Sequence, residues 1–387
     1  MISVKTPASV RVRDEAAHAA GIAAGLLDPA AILDAFCVGA AASDEIEPER
    51  PQARPAIGGE ARQAREPYHS LRRGGNFRVA FGPVPSASPE IPRALVLCAG
   101  FGTRLRPLTE RVPKPLLPFG DRPLVEYAFE ALRSAGVPAP YVLNVHHLAH
   151  EFERRRAEFS SEVRLVHEPE LRGTAGGVAG ARAELGEGPA LVLLGDVVLE
   201  QLPREFVERA AQPGIRLLIA QRAAGQGTVG LDEAGNIVRL RGELFGAEAR
   251  GGEYLGCATL PAADVSRLPS TGCLIGDVVL PLLRQGTPVR AFDYAGRFVL
   301  PGDDLHDFWA SNLAWLAQRG ARVSLGSNVS VAAAVELDQV VIGAGAKITG
   351  HGGLERVVVM PGAQVSAPLS SALVGFGSEV IPLSSPF

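Results

Sequence analysis

Across 387 residues the chain is 47% hydrophobic and 21% charged, the balance of a soluble globular protein with ample core for one large or two to three ordinary domains. A net charge of -4 and 6% aromatic content argue against a general polyanion surface or a base-stacking platform, so no nucleic-acid partner is expected and any affinity for phosphate must be local. The most apolar stretch, 21–42, is broken by Asp28, Pro29 and Asp34, and Cys37, Cys98, Cys257 and Cys273 are scattered; together these argue for a cytoplasmic protein without membrane span, disulfide framework or zinc knuckle.

Residues 1–92 read as a largely disordered or weakly structured extension. Stretches 45–55 and 82–92 are rich in Pro, Glu, Arg and Ser and lack apolar periodicity. One short helix is predicted over 28–37, with Asp28 as N-cap and Pro29 in its first turn; a regulatory arm is the alternative reading.

From Arg93 the pattern changes. The apolar run 94–97 ends in glycines, as a buried parallel strand should. A helix over 123–135 follows, with Leu124, Ala128, Ala131, Leu132 and Ala135 on one face, Gly136 as its stop and Asp121 as its cap. Strands at 141–145, 163–166 and 190–194 alternate with helices over 148–159 and 174–184. Such alternation predicts an α/β fold: a Rossmann-like mixed, mostly parallel sheet with helices on both faces, spanning 93–320. Strands at 215–220, 237–240 and 254–260 and helices over 275–283 and 304–318 complete it. His146, His147 and His150 read as a solvated helix start, Cys98 as a small buried filler and Asp277 as a surface residue.

Residues 321–387 repeat one template, an aliphatic residue followed by Gly or Pro and a small residue, starting at Leu325, Ile342, Met360 and Val374. Starts 17, 18 and 14 residues apart predict about three coils of a parallel β-helix, with a glycine-turned β-meander as the alternative.

The chemistry concentrates in Gly100-Phe101-Gly102-Thr103-Arg104 and in Lys114, set between Pro113 and Pro115. Gly100 and Gly102 let backbone approach an anion, Arg104 offers a planar fork, and Lys114 adds a compact charge on a stiffened segment. Spacing excludes a Walker loop, and Leu105 stands where a dinucleotide fingerprint needs a third glycine.

With a strand before it and Pro-Lys-Pro after it, this segment resembles the sugar-1-phosphate nucleotidyltransferases, also called NDP-sugar pyrophosphorylases. Their signature runs L-A-A-G-x-G-T-R-L-x-P-x-T and then P-K-P; here Cys98 replaces one alanine. The likeness covers about 93–319, and a left-handed β-helix tail is common in that family. Arg172-Gly173-Thr174-Ala175-Gly176 resembles the family's L-G-T-A-G turn, with Arg172 for leucine, and Gly195-Asp196 resembles its metal-binding G-D element.

The resemblance implies attack by a sugar 1-phosphate on the α-phosphorus of an NTP, giving an NDP-sugar and pyrophosphate. It implies nucleotide contacts at Ala99, Gly100, Gly102, Thr103, Gly173 and Thr174, catalytic charges on Arg104 and Lys114, Mg²⁺ on Asp196, and sugar contacts at Gly227 and Glu253. Mannose 1-phosphate with GTP, or glucose 1-phosphate with UTP or dTTP, are the commonest family pairings. Oligomeric state stays open, with self-association through the tail as the route the resemblance offers.

Two departures qualify the match. Leu300 stands where the family places a second metal-binding aspartate, leaving Asp303 or Asp304 as substitutes. No E-K-P segment supplies a lysine for the sugar phosphate, leaving Arg239 or Arg241. A catalytically silent, nucleotide- or sugar-nucleotide-binding regulatory subunit is therefore the competing expectation.

Overall fold

A computed structural model describes residues 11–12, 91–302 and 304–383. The helix expected over 28–37, nearly all of the expected extension, and Asp303 lie outside the described residues.

The sheet grows from β1 (Arg93–Leu97), in which Ala94, Leu95 and Val96 are fully buried. With β2 (Tyr141–Val145), β3 (Val163–His167) and β4 (Ala190–Leu194) it forms a parallel set in the order β3-β2-β1-β4. Strands covered on both faces have no solvated side to mark with polar residues, so β1 past Arg93 and β4 run as apolar stretches, and β2 is apolar except for Asn144. The second half comprises β5 (Arg216–Arg222), β6 (Val229–Leu231), β7 (Ile237–Leu240), β8 (Glu243–Leu244), β9 (Arg250–Leu260) and β10 (Arg290–Tyr294). Here β9 runs antiparallel to β4, β5 and β6, while β10 is parallel to β5. One mixed sheet of ten strands results.

β9 starts earlier than the apolar pattern predicted because Gly251 and Gly252 open it. A Cβ on Gly251 would lie 2.2 Å from the Gln226 carbonyl, so this glycine pair marks a close backbone approach.

α1 (Leu124–Ser134) buries Leu124, Val125, Phe129 and Leu132 against the sheet. Asp121 does not cap it. Pro123 holds the N-cap position without a side-chain bond, and Asp121 instead accepts from the Arg122 guanidinium at 2.9 Å and the Tyr127 hydroxyl at 3.1 Å. It sits in the turn between the paired Pro118–Phe119 and Arg122–Pro123 segments, two residues before the N-cap position. α2 (Ala149–Arg155) is shorter than expected, α3 (Gly173–Gly180) is followed by a separate turn of helix at Arg182–Leu185, and the helix expected over 275–283 begins as a π-helical turn, Leu274–Val279, before continuing as α-helix over Leu280–Arg284.

α4 (Leu305–Gln318) is capped by Asp304, whose carboxylate accepts from the Asp307 N–H at 2.8 Å. It joins the sheet to the tail. Asn312 Oδ1 accepts from Gly120 N–H and Trp309 Nε1 donates to the Arg356 carbonyl, both at 2.9 Å. One core cluster runs from Phe119 through Phe308 and Trp309 to Val358, Met360 and Leu373.

The tail contains β11 (Val323–Leu325), β12 (Ser330–Val331), β13 (Val335–Ile342), β14 (Lys347–Val359), β15 (Gln364–Val374) and β16 (Val380–Pro382). Parallel partners Val323↔Val340, Ser330↔Lys347 and Val335↔Gly352 each lie 17 residues apart. The next coil keeps 17 at Lys347↔Gln364 and shortens to 15 at Leu354↔Leu369. Ile342 pairs with Val359 rather than Met360, which moves the expected repeat by one residue. Leu337, Val340, Leu354 and Val357 stack inside, fully buried, an arrangement compatible with a β-helix.

Candidate functional site

β1 pairs with β2 on one edge and with the later β4 on the other, so strand order reverses at β1. The loops leaving the carboxyl ends of β1 and β4 face each other at this switch point, where an open α/β sheet offers a crevice.

The loop after β1 is built around Gly102 at φ +61°. The Thr109 hydroxyl donates to the Gly102 carbonyl at 2.8 Å, and a Cβ on Gly102 would fall 2.9 Å from Thr109 and 3.3 Å from Lys114. Gly100 is different: it is exposed, and a Cβ there would meet nothing within 4 Å. Ala99 is buried, while Thr103 and Arg104 are exposed on a single 3-10 turn anchored by fully buried Leu105.

Lys114 is buried at 9% exposure, and its Nζ lies 2.7 Å from Asp196 Oδ2. Gly195 makes this meeting possible: its N–H donates to the Leu97 carbonyl at 3.0 Å, and a Cβ would stand 2.8 Å from Cys98 Sγ. Burial, then the Asp196 charge, push the Cys98 thiol well above its ordinary pKa, so it stays protonated and inert.

His146 and His147, two of the three histidines expected at a solvated helix start, instead brace this loop, while His150 is exposed at the start of α2. His147 Nε2 lies 2.7 Å from the Thr109 carbonyl, His146 Nδ1 lies 2.8 Å from the Glu168 carbonyl, and the Phe101 ring packs against both imidazoles.

A buried polar chain escaped the sequence reading. Cys98 N–H donates to Asn144 Oδ1 at 2.9 Å, Asn144 Nδ2 donates to Glu168 Oε1 at 2.8 Å, and Glu168 Oε2 accepts from Arg172 N–H at 3.1 Å. Asn144 and Glu168 are both buried. They tie the loop after β1 to the Gly173–Thr174 turn across the ends of β2 and β3. The available signal was an asparagine inside an otherwise apolar strand.

Gly173 has φ +74°, and a Cβ would come 2.6 Å from the Gly272 carbonyl. Thr174 Oγ1 accepts from Leu274 N–H at 2.6 Å and Ala175 N–H donates to Gly272 at 2.8 Å, locking the turn onto 271–274. Arg172 lies along α3: a Cβ on Gly180 would be 2.5 Å from its guanidinium. The arginine thus carries positive charge to the helix's C-terminal end, where the dipole favours it.

Gly227 and Glu253 lie on the β9 side of the sheet. Gly227, at φ +70°, packs against the Gly252 carbonyl, 2.4 Å from where a Cβ would be. Glu253 is 1% exposed, its carboxylate buried beside Thr228. Burial raises its pKa, opposed by Thr228 and the Arg222 charge. Arg239 is committed elsewhere: it pairs with Glu248 at 2.7 Å and donates to the carbonyls of Gln226, Gly227 and Val229. Arg241 donates to Cys273 Sγ at 3.4 Å.

Among the described residues no group of three or more His, Cys, Asp or Glu is arranged to hold a metal. Leu300 packs against the apolar core, and the Asp304 carboxylate is engaged in capping α4.

Residues 93–240 match the nucleotidyl transferase family. A probable mannose-1-phosphate guanylyltransferase 1 of Oryza sativa subsp. japonica is 39% identical over 123 residues, which is 30% of this chain and 34% of that protein. A mannose-1-phosphate guanyltransferase of Schizosaccharomyces pombe is 40% identical over 114 residues, 28% of this chain and 31% of that protein. The matched segment thus spans about a third of those relatives' length. Among solved structures, HddC from Yersinia pseudotuberculosis complexed with GMP-PN aligns at 19% identity and TM-score 0.48, over 58% of this chain and 99% of that one.

Proposed function

We propose, from the match of residues 93–240 to the nucleotidyl transferase family, that the protein transfers a nucleotidyl group from an NTP to a sugar 1-phosphate, releasing pyrophosphate and an NDP-sugar. The observation that carries this reading is the 2.7 Å pair of Lys114 and Asp196, formed by loops from two parallel strands at the switch point. The names of the relatives favour mannose 1-phosphate and GTP as the first pair to test, followed by glucose 1-phosphate with UTP or dTTP.

The nucleophile in this reaction is already an anion, so catalysis reduces to alignment and charge neutralisation. The open face of Gly100 suits the approach of a polyphosphate, lined by Ala99, Gly102 and Thr103. Arg104 and Lys114 would hold the triphosphate and neutralise the departing pyrophosphate. The braced Gly173–Thr174 turn would meet the base. Glu253 would accept sugar hydroxyls beside Gly227.

Asp196 is the residue that would hold Mg²⁺. A single carboxylate suits this cation, which keeps water and substrate phosphates as its other ligands, and the Asp196 side chain is 27% exposed. When bound, the metal would neutralise phosphate charge.

The same reading takes 93–320 as the transferase domain and 321–387 as a left-handed hexapeptide-repeat coil whose faces allow self-association. It places the protein in the cytoplasm. No helix among the described residues is long and apolar enough to cross a membrane.

Leu300 supports the second reading, a silent nucleotide-binding regulatory subunit, since leucine cannot ligate Mg²⁺. Pyrophosphate release with Mg²⁺ and a panel of NTPs and sugar 1-phosphates separates the two. The enzyme reading expects turnover with at least one pair, reduced about 10²–10³-fold by Lys114→Ala or Asp196→Ala. Tight nucleotide binding with no release from any pair would establish the silent subunit instead.

A further inference from the structure

The coil of the tail has three sides, and its first turn lacks one of them. β11 and β12 supply two sides, each 17 residues ahead of its parallel partner. The third side, 335–338 of β13, would need a strand at 318–321. That stretch closes α4: Gly320, at φ +65°, donates to the Ala317 carbonyl at 2.9 Å, and Ala321 to Leu316 at 3.2 Å. A helix terminus cannot serve as a ladder, so the edge of β13 would be left with unpaired N–H and C=O groups, a template for another chain.

Arg11 and Val12 close that edge. They pair with β13 in parallel, Arg11↔Glu336 and Val12↔Leu337, at the positions 319 and 320 would occupy in a continued coil. At the far end of the coil, β16 turns back antiparallel onto β15 and covers the edge at 372–374.

We propose that the 335–338 edge is a strand-acceptor site and that its occupant is this chain's own N-terminal segment at Arg11–Val12. Paired in cis, the segment keeps the open ladder from joining a second copy and restricts self-association to the faces of the coil. Residues 13–92 supply ample reach, and closing so long a loop costs little more than closing a shorter one. This inference does not depend on the catalytic reading.

Hydrogen exchange on the full chain, on the chain lacking residues 1–12, and on Val12→Pro tests it. Proline can neither donate to a ladder nor sit inside one. Both variants should exchange about tenfold faster at 335–338, with 352–355 unchanged as the internal reference. Light scattering should show an added association step in the truncated chain. Equal protection at 335–338 with and without residues 1–12 would overturn the assignment. So would an unchanged oligomeric state, or protection in the full chain that disappears on dilution, the mark of a strand donated by a second copy.

Discussion

Gly100 and Gly102 lie in one loop, and their side-chain positions differ completely. The Cβ position of Gly100 is open space, whereas Gly102 combines a left-handed backbone with contacts to Thr109 and Lys114. Gly100→Ala should leave stability within about 0.5 kcal/mol of the parent while weakening nucleotide binding. Gly102→Ala should cost about 1–3 kcal/mol and lower binding as well. Calorimetric unfolding together with nucleotide titration distinguishes the two outcomes.

Glu253 supplies a pH signature at the same scale. Its folded pKa is raised by burial, so the stability it contributes is full below the unfolded carboxylate pKa and is lost as pH rises through the folded value. Glu253→Gln should therefore raise Tm at neutral pH, with the gain fading in acid, and should weaken sugar 1-phosphate binding. A Tm gain that grows toward acid would contradict the assignment of a carboxylate whose pKa is raised by burial.

At the scale of elements, the parallel strands and the glycine-rich loop after β1 were legible because each is a local pattern. Leu95 and Val96 announce a buried strand, and Gly100 to Lys114 place their charges within one short stretch. The bridge between loop and turn was not legible. Asn144 and Glu168 belong to different strands, and only the adjacency of β1, β2 and β3 makes them partners. Asn144→Ala would leave Cys98 N–H and Glu168 Oε1 without partners and should cost about 2–4 kcal/mol. On the transferase reading it should also raise KM for the NTP, because both nucleotide-facing segments lose their shared anchor. Urea unfolding and steady-state kinetics check the two effects.

At the scale of the whole molecule, α4 makes sheet and tail one cooperative body. Gly120 fits against Trp315 only because it lacks a side chain, a Cβ there lying 2.4 Å from the indole, and Trp309 reaches across to the Arg356 carbonyl. A chain ending at residue 320 would expose Trp309, Phe308 and their neighbours, so it should lose cooperative thermal unfolding. Trp309→Ala in the full chain should cost about 3–5 kcal/mol. Near-ultraviolet circular dichroism and calorimetry report both.

The amino-acid order alone determined where most strands and helices form and that a glycine-rich loop with two cations follows β1, because backbone preference and side-chain periodicity act over a few residues. Tertiary structure decided which distant groups meet: Lys114 with Asp196, Asn144 with Glu168, and Arg11–Val12 with the edge of β13. It also buried Glu253 at 1% exposure. Such pairings depend on strand order and on what each edge lacks, and those follow from packing the whole chain at once.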